Sequence, residues 1–263
     1  MSKKLGLALG SGGARGAAHI CFLQALEEEG IKPDFISGCS MGAVVGGGYA
    51  AGLSVEELLA SVRQLKAVDI LDPSGMAITK LGLFKGNKVR KLLIEKFGSV
   101  TFKELKIPFV CVAVDMLGGR MVVLNEGSVA DAVRASSAIP TVFRPVEMGD
   151  KLLIDGGVLC RVPVKQCKLL GADVVVAFDV LANTGERVEK VPSIVHKVLR
   201  VYDIMDYNQN KFAMRDFKDC YDLWLAPPLE GLNQYNVKDA EAAYEMGYAY
   251  SREHIGEIAR LLE

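Results

Sequence analysis

The chain has 263 residues, 50% hydrophobic and 24% charged, a composition that excludes a disordered or fibrous segment and allows a sizeable core. A formal net charge of -1 excludes recognition of nucleic acid, or of an anionic membrane, by bulk charge. No stretch approaches the roughly 20 apolar residues of a membrane-spanning helix, and the apolar run after Met1-Ser2-Lys3-Lys4 is too brief for a signal peptide. The expectation is a cytoplasmic protein, at most peripheral at the inner membrane face. The six cysteines (21, 39, 111, 160, 167 and 220) sit in or beside apolar segments without a CxxC pair and read as reduced thiols.

Leu5 to Leu9 has the continuous apolar character of a buried parallel strand and empties into Gly10-Ser11-Gly12-Gly13-Ala14-Arg15-Gly16. A helix follows, with Ala17, Ile20, Leu23 and Leu26 at three-to-four spacing and Gly30 as its C-terminal cap. Strand, glycine loop and helix N-terminus together aim backbone N–H groups at one point, where an anion or a developing oxyanion is favoured. Dinucleotide binding fails its own test here. Counting from Gly10 and Gly12, the third glycine position of the fingerprint is Arg15, and no acid ends a second strand about 20 residues on. A phosphate-binding P-loop fails as well, because no Gly-Lys-Ser/Thr closes the loop.

The second strand, Phe35-Ile36, runs into Gly38-Cys39-Ser40-Met41-Gly42 and then a helix of small residues, which is the strand-turn-helix context of a nucleophile elbow. A serine at so sharp a turn needs glycine two positions to either side, or strand and helix collide. Taken alone, the motif is equally an ordinary strand-to-helix turn. Gly42, Gly46, Gly47 and Gly48 weaken the helix they occupy by about 1 kcal/mol each, so close packing on the sheet or the first helix must compensate. Ser54 caps a further helix through Leu65. Asp72 to Asn87 mixes apolar residues, glycines and lysines without a period and reads as a lid or as an irregular connection packed on the core. A helix over 88–97 and strands over 109–115 and 121–124, joined at Gly118-Gly119, extend the sheet.

Val129 to Ser137 is helical, and Pro140 ends that run. The short strand Leu152-Leu153-Ile154 leads to Asp155-Gly156-Gly157, where an aspartate at a strand end and two glycines give the placement of a catalytic acid or base in an α/β sheet. Asp115 and Asp179 sit at similar strand ends and remain rivals. After a strand over 173–178 the chain is mainly helical, over 194–217 and 237–262, with an edge strand over 221–225. No linker, repeat or low-complexity tract divides it, so one α/β domain with a mostly parallel sheet flanked by helices is expected.

Four blocks in order, Gly10-Ser11-Gly12-Gly13-Ala14-Arg15-Gly16, Gly38-Cys39-Ser40-Met41-Gly42, Ala135-Ser136-Ser137-Ala138-Ile139-Pro140 and Asp155-Gly156-Gly157, resemble those of the patatin-like phospholipases, in particular compact bacterial members. The resemblance implies a three-layer fold with its core over about 5–170 and a helical extension over about 190–263. It implies a dyad of Ser40 and Asp155, an oxyanion hole at Gly12 and Gly13 with Arg15 nearby, and the elbow glycines Gly38 and Gly42. No metal and no cofactor are implied. The expected partners are a phospholipid, lysophospholipid or related acyl ester and, transiently, a membrane surface; a homo-oligomer stays open.

An ordinary aspartate, at a pKa of about 3.9, is too weak a base for this role, so Asp155 needs a desolvated setting or an unusually effective oxyanion hole. None of the three histidines (His19, His196, His254) makes a persuasive triad member, and Cys39 reads as a small filler turned away from the serine. Ser11, Cys39 and Cys160-Arg161 depart from the family's usual residues, which leaves substrate preference and oxyanion geometry open. The alternative is a regulatory or scaffold protein that keeps this fold and works through a protein partner.

Overall fold

The computed structural model describes residues 3–72, 82–182, 188 and 190–263. In chain order the strands are β1 (Leu5–Leu9), β2 (Phe35–Gly38), β3 (Phe109–Asp115), β4 (Arg120–Leu124), β5 (Val146–Met148), β6 (Lys151–Asp155), β7 (Val174–Phe178) and β8 (Leu223–Leu225). The helices are α1 (Ala18–Glu28), α2 (Met41–Ala51), α3 (Val55–Gln64), α4 (Ala67–Ile70), α5 (Asn87–Phe97), α6 (Val129–Ser136), α7 (Val164–Leu169), α8 (Ile194–Asp216) and α9 (Ala240–Leu262). They flank one mixed sheet of order β5-β6-β3-β2-β1-β7-β8, with β4 paired to β3 off this path.

The five strands β3, β2, β1, β7 and β8 are parallel, as their mostly apolar runs predict for a sheet covered on both faces. Alternation divides the two faces by size. Leu5, Leu7 and Leu9 of β1, with Val174, Val176 and Phe178 of β7, join the main core under α1, α2 and α6, whereas Ala8, Val175 and Ala177 meet α7 on the opposite face. Gly6 lies on that second face, and a Cβ there would come within 2.5 Å of Cys167 Sγ and 2.6 Å of Ala172 Cβ. α9 packs along α1, with Gly247 against Ala18 and Cys21, so the end of the chain covers its beginning.

The glycines of α2 are accounted for in the same way. A Cβ at Gly46 would lie 2.8 Å from Ile36 of β2, and one at Gly48 would lie 2.9 Å from Leu58 of α3. The helix therefore approaches the sheet and its neighbours at backbone distance. This packing offsets the intrinsic cost of glycine in a helix.

The antiparallel part of the sheet positions the site. β4 pairs with β3 from Cys111 to Asp115 and occupies one of its edges. β2 takes the other edge, pairing with Phe109 to Cys111, and β6 takes what remains of that edge, pairing antiparallel with Ala113 to Asp115. β2 and β6 thus meet end to end, carboxyl terminus against carboxyl terminus, with Val112 of β3 in the gap. Of the segment over 72–87 read as a lid or connection, residues 73–81 lie outside the described residues. Its ends are tied by Asp72, which accepts hydrogen bonds from the N–H groups of Gly86 at 2.7 Å and Asn87 at 2.9 Å.

Replacing Gly6 with Val drives two methyl groups into the contact with Cys167 and Ala172, and urea denaturation is expected to show a loss of about 1–3 kcal/mol.

Candidate active site

Ser40 follows β2 by two residues and caps α2 with φ 53° and ψ -117°, one of only two described non-glycine residues at positive φ. Such a backbone costs on the order of 1–3 kcal/mol and persists only where the surroundings enforce it. Here they do. A Cβ at Gly38 would lie 2.6 Å from Ala43 Cα, and one at Gly42 would lie 2.2 Å from the Leu9 carbonyl oxygen, so neither position admits a side chain. The Ser40 N–H donates to Ser136 Oγ at 3.0 Å, and the Ser136 hydroxyl in turn donates to the Val112 carbonyl at 2.7 Å. That carbonyl belongs to the residue in the gap between β2 and β6, so Ser136 ties the elbow to the one β3 position that neither strand covers.

Asp155 ends β6 opposite Ala113 and is 2% exposed. Burial pushes its carboxyl up to about 7; the facing Ser40 hydroxyl and the Gly157 N–H, which donates to Oδ1 at 2.8 Å, favour the charged form but only in part offset this. A carboxyl poised near neutrality beside a serine hydroxyl can accept a proton and return it. The desolvated setting that the sequence requires of Asp155 is present. β6 runs antiparallel to β3, a direction that the sequence reading left open, so Asp155 turns back toward the elbow.

Cys39 does not turn away from the site. Its buried thiol donates to Asp155 Oδ1 at 3.9 Å, and burial together with the Asp155 charge raises its pKa well above the ordinary thiol value, which leaves it protonated and unreactive. Above the pair lies α8. A Cβ at Gly157 would sit 2.6 Å from Tyr202 Oη, 3.1 Å from Asp155 Oδ1 and 3.3 Å from Ser11 Oγ, so the Tyr202 phenol of α8 closes over the aspartate. Burial and the nearby Asp155 and Asp206 carboxylates raise its pKa well above the usual phenol value.

The glycine loop is held from outside. Gly10 N–H donates to Phe178 O, Ser11 N–H to Arg161 O at 3.0 Å, and Ala14 N–H to Gln234 O at 2.8 Å. Among the described residues, the N–H groups of Gly12 and Gly13 have no backbone acceptor. Gly13 has φ 49°, and a Cβ there would strike the Gln234 carbonyl at 2.2 Å. The neighbouring Arg15 is buried, and its Nε donates to the Leu232 carbonyl at 2.8 Å, at the rim of a cavity also lined by Arg200, Asp203 and Gln234. Its guanidinium thus anchors the late loop to the glycine loop.

The rival acids have other employment. Asp179, fully buried, accepts from Arg161 Nη2 and Asn210 Nδ2, both at 2.9 Å, and Asp115 accepts from the Leu117 N–H in the β3–β4 turn. His19 is sealed in the core with Nε2 at 2.8 Å from the Gly10 carbonyl. Burial lowers its pKa to about 4, so it is a neutral packing group. His254 bonds to the Tyr250 carbonyl and His196 to Ser193, both on helices away from the elbow.

Sequence reading missed three contributors: Ser136, Tyr202 and Arg161. Arg161 bridges Asp179 and Asp206 of α8 at 2.9 and 2.8 Å, and all three side chains are buried. Burial opposes its charge, but the two carboxylates outweigh that and hold the guanidinium above its ordinary value. The position of Ser136 in the 135–140 block was a usable signal. Tyr202 and Asp206 lie in a helix whose sequence carries none.

Fold and site define an α/β protein with a strained serine at a strand-to-helix turn beside a buried aspartate. The chain belongs to the patatin-like phospholipase family, which it matches over residues 7–168. It is 42% identical over 178 residues to an NTE family protein of Mycobacterium bovis, covering 67% of this chain and 49% of that protein. It is 26% identical to the lysophospholipase nte1 of Emericella nidulans, over 97% of this chain and 18% of that protein. The chain therefore spans about half the length of the mycobacterial relative and less of the other. In fold it is similar to VipD from Legionella pneumophila (TM-score 0.63, 14% identity, 97% of this chain and 67% of that chain). It is also similar in fold to ExoU of Pseudomonas aeruginosa in complex with SpcU (TM-score 0.53, 16% identity, 97% and 52%). No helix among the described residues is long and apolar enough to cross a membrane.

Removing the guanidinium by Arg161→Ala strands two buried carboxylates, and thermal melting is expected to report a loss of about 3–5 kcal/mol at neutral pH.

Proposed function

We propose that the chain is a serine hydrolase of lipid acyl esters, and the observation that carries this is the strained Ser40 elbow facing a buried Asp155 whose carboxyl titrates near neutrality. Ser40 Oγ attacks the ester carbonyl carbon while Asp155 accepts the hydroxyl proton. The tetrahedral oxyanion is held by the Gly12 and Gly13 N–H groups, with the Arg15 charge behind the loop; losing one such donor typically costs ~10²–10³ in rate. Asp155 then protonates the departing alcohol. In the second half it takes a proton from water, which attacks the acyl-serine and releases the fatty acid.

Membership of a phospholipase family and the likeness to a relative named a lysophospholipase over 97% of this chain support acyl esters of phospholipids and lysophospholipids as the substrate class. The burial of Ser40 and Asp155 supports a site that excludes bulk water around the acyl-enzyme.

A fluorophosphonate probe is expected to label the wild-type chain and not the Ser40→Ala variant. A wild type inert to the probe and to short-chain esters would transfer the fold to a scaffold role. Because the base must be ionised, kcat/KM for an uncharged short-chain ester is expected to fall about tenfold per pH unit below about 7 and to level off above it. Asp155→Asn is expected to lower turnover roughly 10²–10⁴-fold. The folded-state pKa of Asp155 is raised, so its stabilising contribution is present below the ordinary carboxylate range and lost as pH rises through about 7. The Asn variant should therefore melt no lower than wild type at pH 8, with any difference growing in its favour from acid to alkaline pH.

A further inference from the structure

α8 is amphipathic in an inverted sense. Ile194, Val198, Val201, Met205 and Phe212 recur at helical spacing and form one stripe, yet each is between 40% and 72% exposed. The stripe runs ~27 Å along the helix. The opposite side carries, besides the buried Leu199, mainly polar groups: the half-buried Tyr202 at Gly157, and the buried Asp206 on Arg161 and Asn210 on Asp179. The helix thus spends its polar side on the site and turns its apolar side outward, at a net cost that an isolated chain in water does not recover.

Charge says what covers this face. Of the three acids of α8, Asp206 is inside on Arg161, Asp203 accepts from Gln234 and the Tyr235 hydroxyl, and Asp216 is paired with Arg215. Lys197 and Lys211, both exposed, flank the apolar stripe on one side. The outward surface is therefore apolar and positive although the whole chain has a formal net charge of -1. An apolar stripe edged by lysines is the pattern of a helix lying in the headgroup region of an anionic bilayer, with the ammonium groups at the phosphates. A second copy fits less well, because an antiparallel two-fold pairing of this face would bring the lysine flank against its own copy.

We propose that the outer face of α8 docks the protein on an anionic lipid surface, directly above Ser40 and Asp155. The proposal rests on the lipid-hydrolase reading for its biological sense and on α8 alone for its binding. Docking places the bilayer against the element whose Tyr202 and Asp206 cover the site, so one helix both finds the substrate phase and roofs the site.

The test is flotation of the full chain, in the Ser40→Ala background, with vesicles of phosphatidylcholine and of phosphatidylcholine with phosphatidylglycerol. The protein is expected to float with the anionic vesicles, and high salt should weaken this binding. Val201→Glu with Met205→Glu should lower partitioning at least about tenfold, since each position loses an apolar group buried in the interface. Lys197→Glu with Lys211→Glu should lower it on anionic vesicles only. With Ser40 restored, both double variants should cleave a monomeric short-chain ester at the wild-type rate. Failure of the parent to float, or flotation that the Val201/Met205 pair leaves unchanged, overturns the proposal. So does a dimer that this pair splits while flotation persists, which would make the face a contact between copies. If no version cleaves ester while flotation follows the expected pattern, the docking face stands and the hydrolase reading fails.

Discussion

A β-strand has two hydrogen-bonding edges, and the candidate site exists because two strands share one of them. β4 covers one edge of β3, so β2 and β6 must divide the other, and their carboxyl ends face each other across Val112. The elbow serine comes from one end and Asp155 from the other. No loop has to reach across the sheet to join them. The gap leaves the Val112 carbonyl without a strand partner, and Ser136 fills that vacancy while holding the Ser40 N–H. An unsatisfied buried carbonyl would cost roughly 1–3 kcal/mol, so the same hydroxyl that fixes the elbow also closes the sheet's hydrogen-bond account.

Burial then sets the chemistry. Asp155 and the Arg161–Asp179–Asp206 cluster lie near one another, and they differ in whether a cation is at hand. Burial pushes the Asp206 carboxyl up as well, to about 6, and the Arg161 guanidinium between the two carboxylates offsets only part of this. Asp155 has no cation, only the Ser40 hydroxyl and an N–H, and so its charge is marginal near neutral pH. Asp206 spends its carboxyl on the guanidinium that anchors α8, whereas Asp155 faces a hydroxyl with which it can exchange a proton.

The sequence made the glycine loop and the elbow legible because both depend on local sterics: a glycine that cannot take a Cβ at Gly38 or Gly42 is visible without knowing what it touches. Most helix and strand positions followed from period and length, even the edge strand near residue 223, whereas β5, α4 and α7, of three to six residues, are too short to show a period. The direction of β6 was not, since five residues of a half-buried strand read alike in either direction. Tyr202 and Asp206 were invisible for a related reason. Periodicity identifies the apolar stripe of α8 but carries no information about which side faces the sheet, and the usual assignment, apolar inward, is the reverse of what the structure shows. Net charge misled in the same way, because a value near zero for the chain conceals a positive outward face on one helix.

The glycine loop is written within the first 16 residues, yet Phe178, Arg161 and Gln234 hold it. On a growing chain, Ser40 and its helix emerge long before the carbonyl at Gln234 that supports Gly13 and Ala14. The segment common to the family, residues 7–168, includes Ser40 and Asp155 but neither Phe178 nor Gln234. Ser40 and Asp155 are therefore both written before residue 168, while the carbonyls that hold the loop beside them come from as far along the chain as Gln234. A chain cut after residue 168 would keep both side chains and lose two of the three carbonyls that hold this loop.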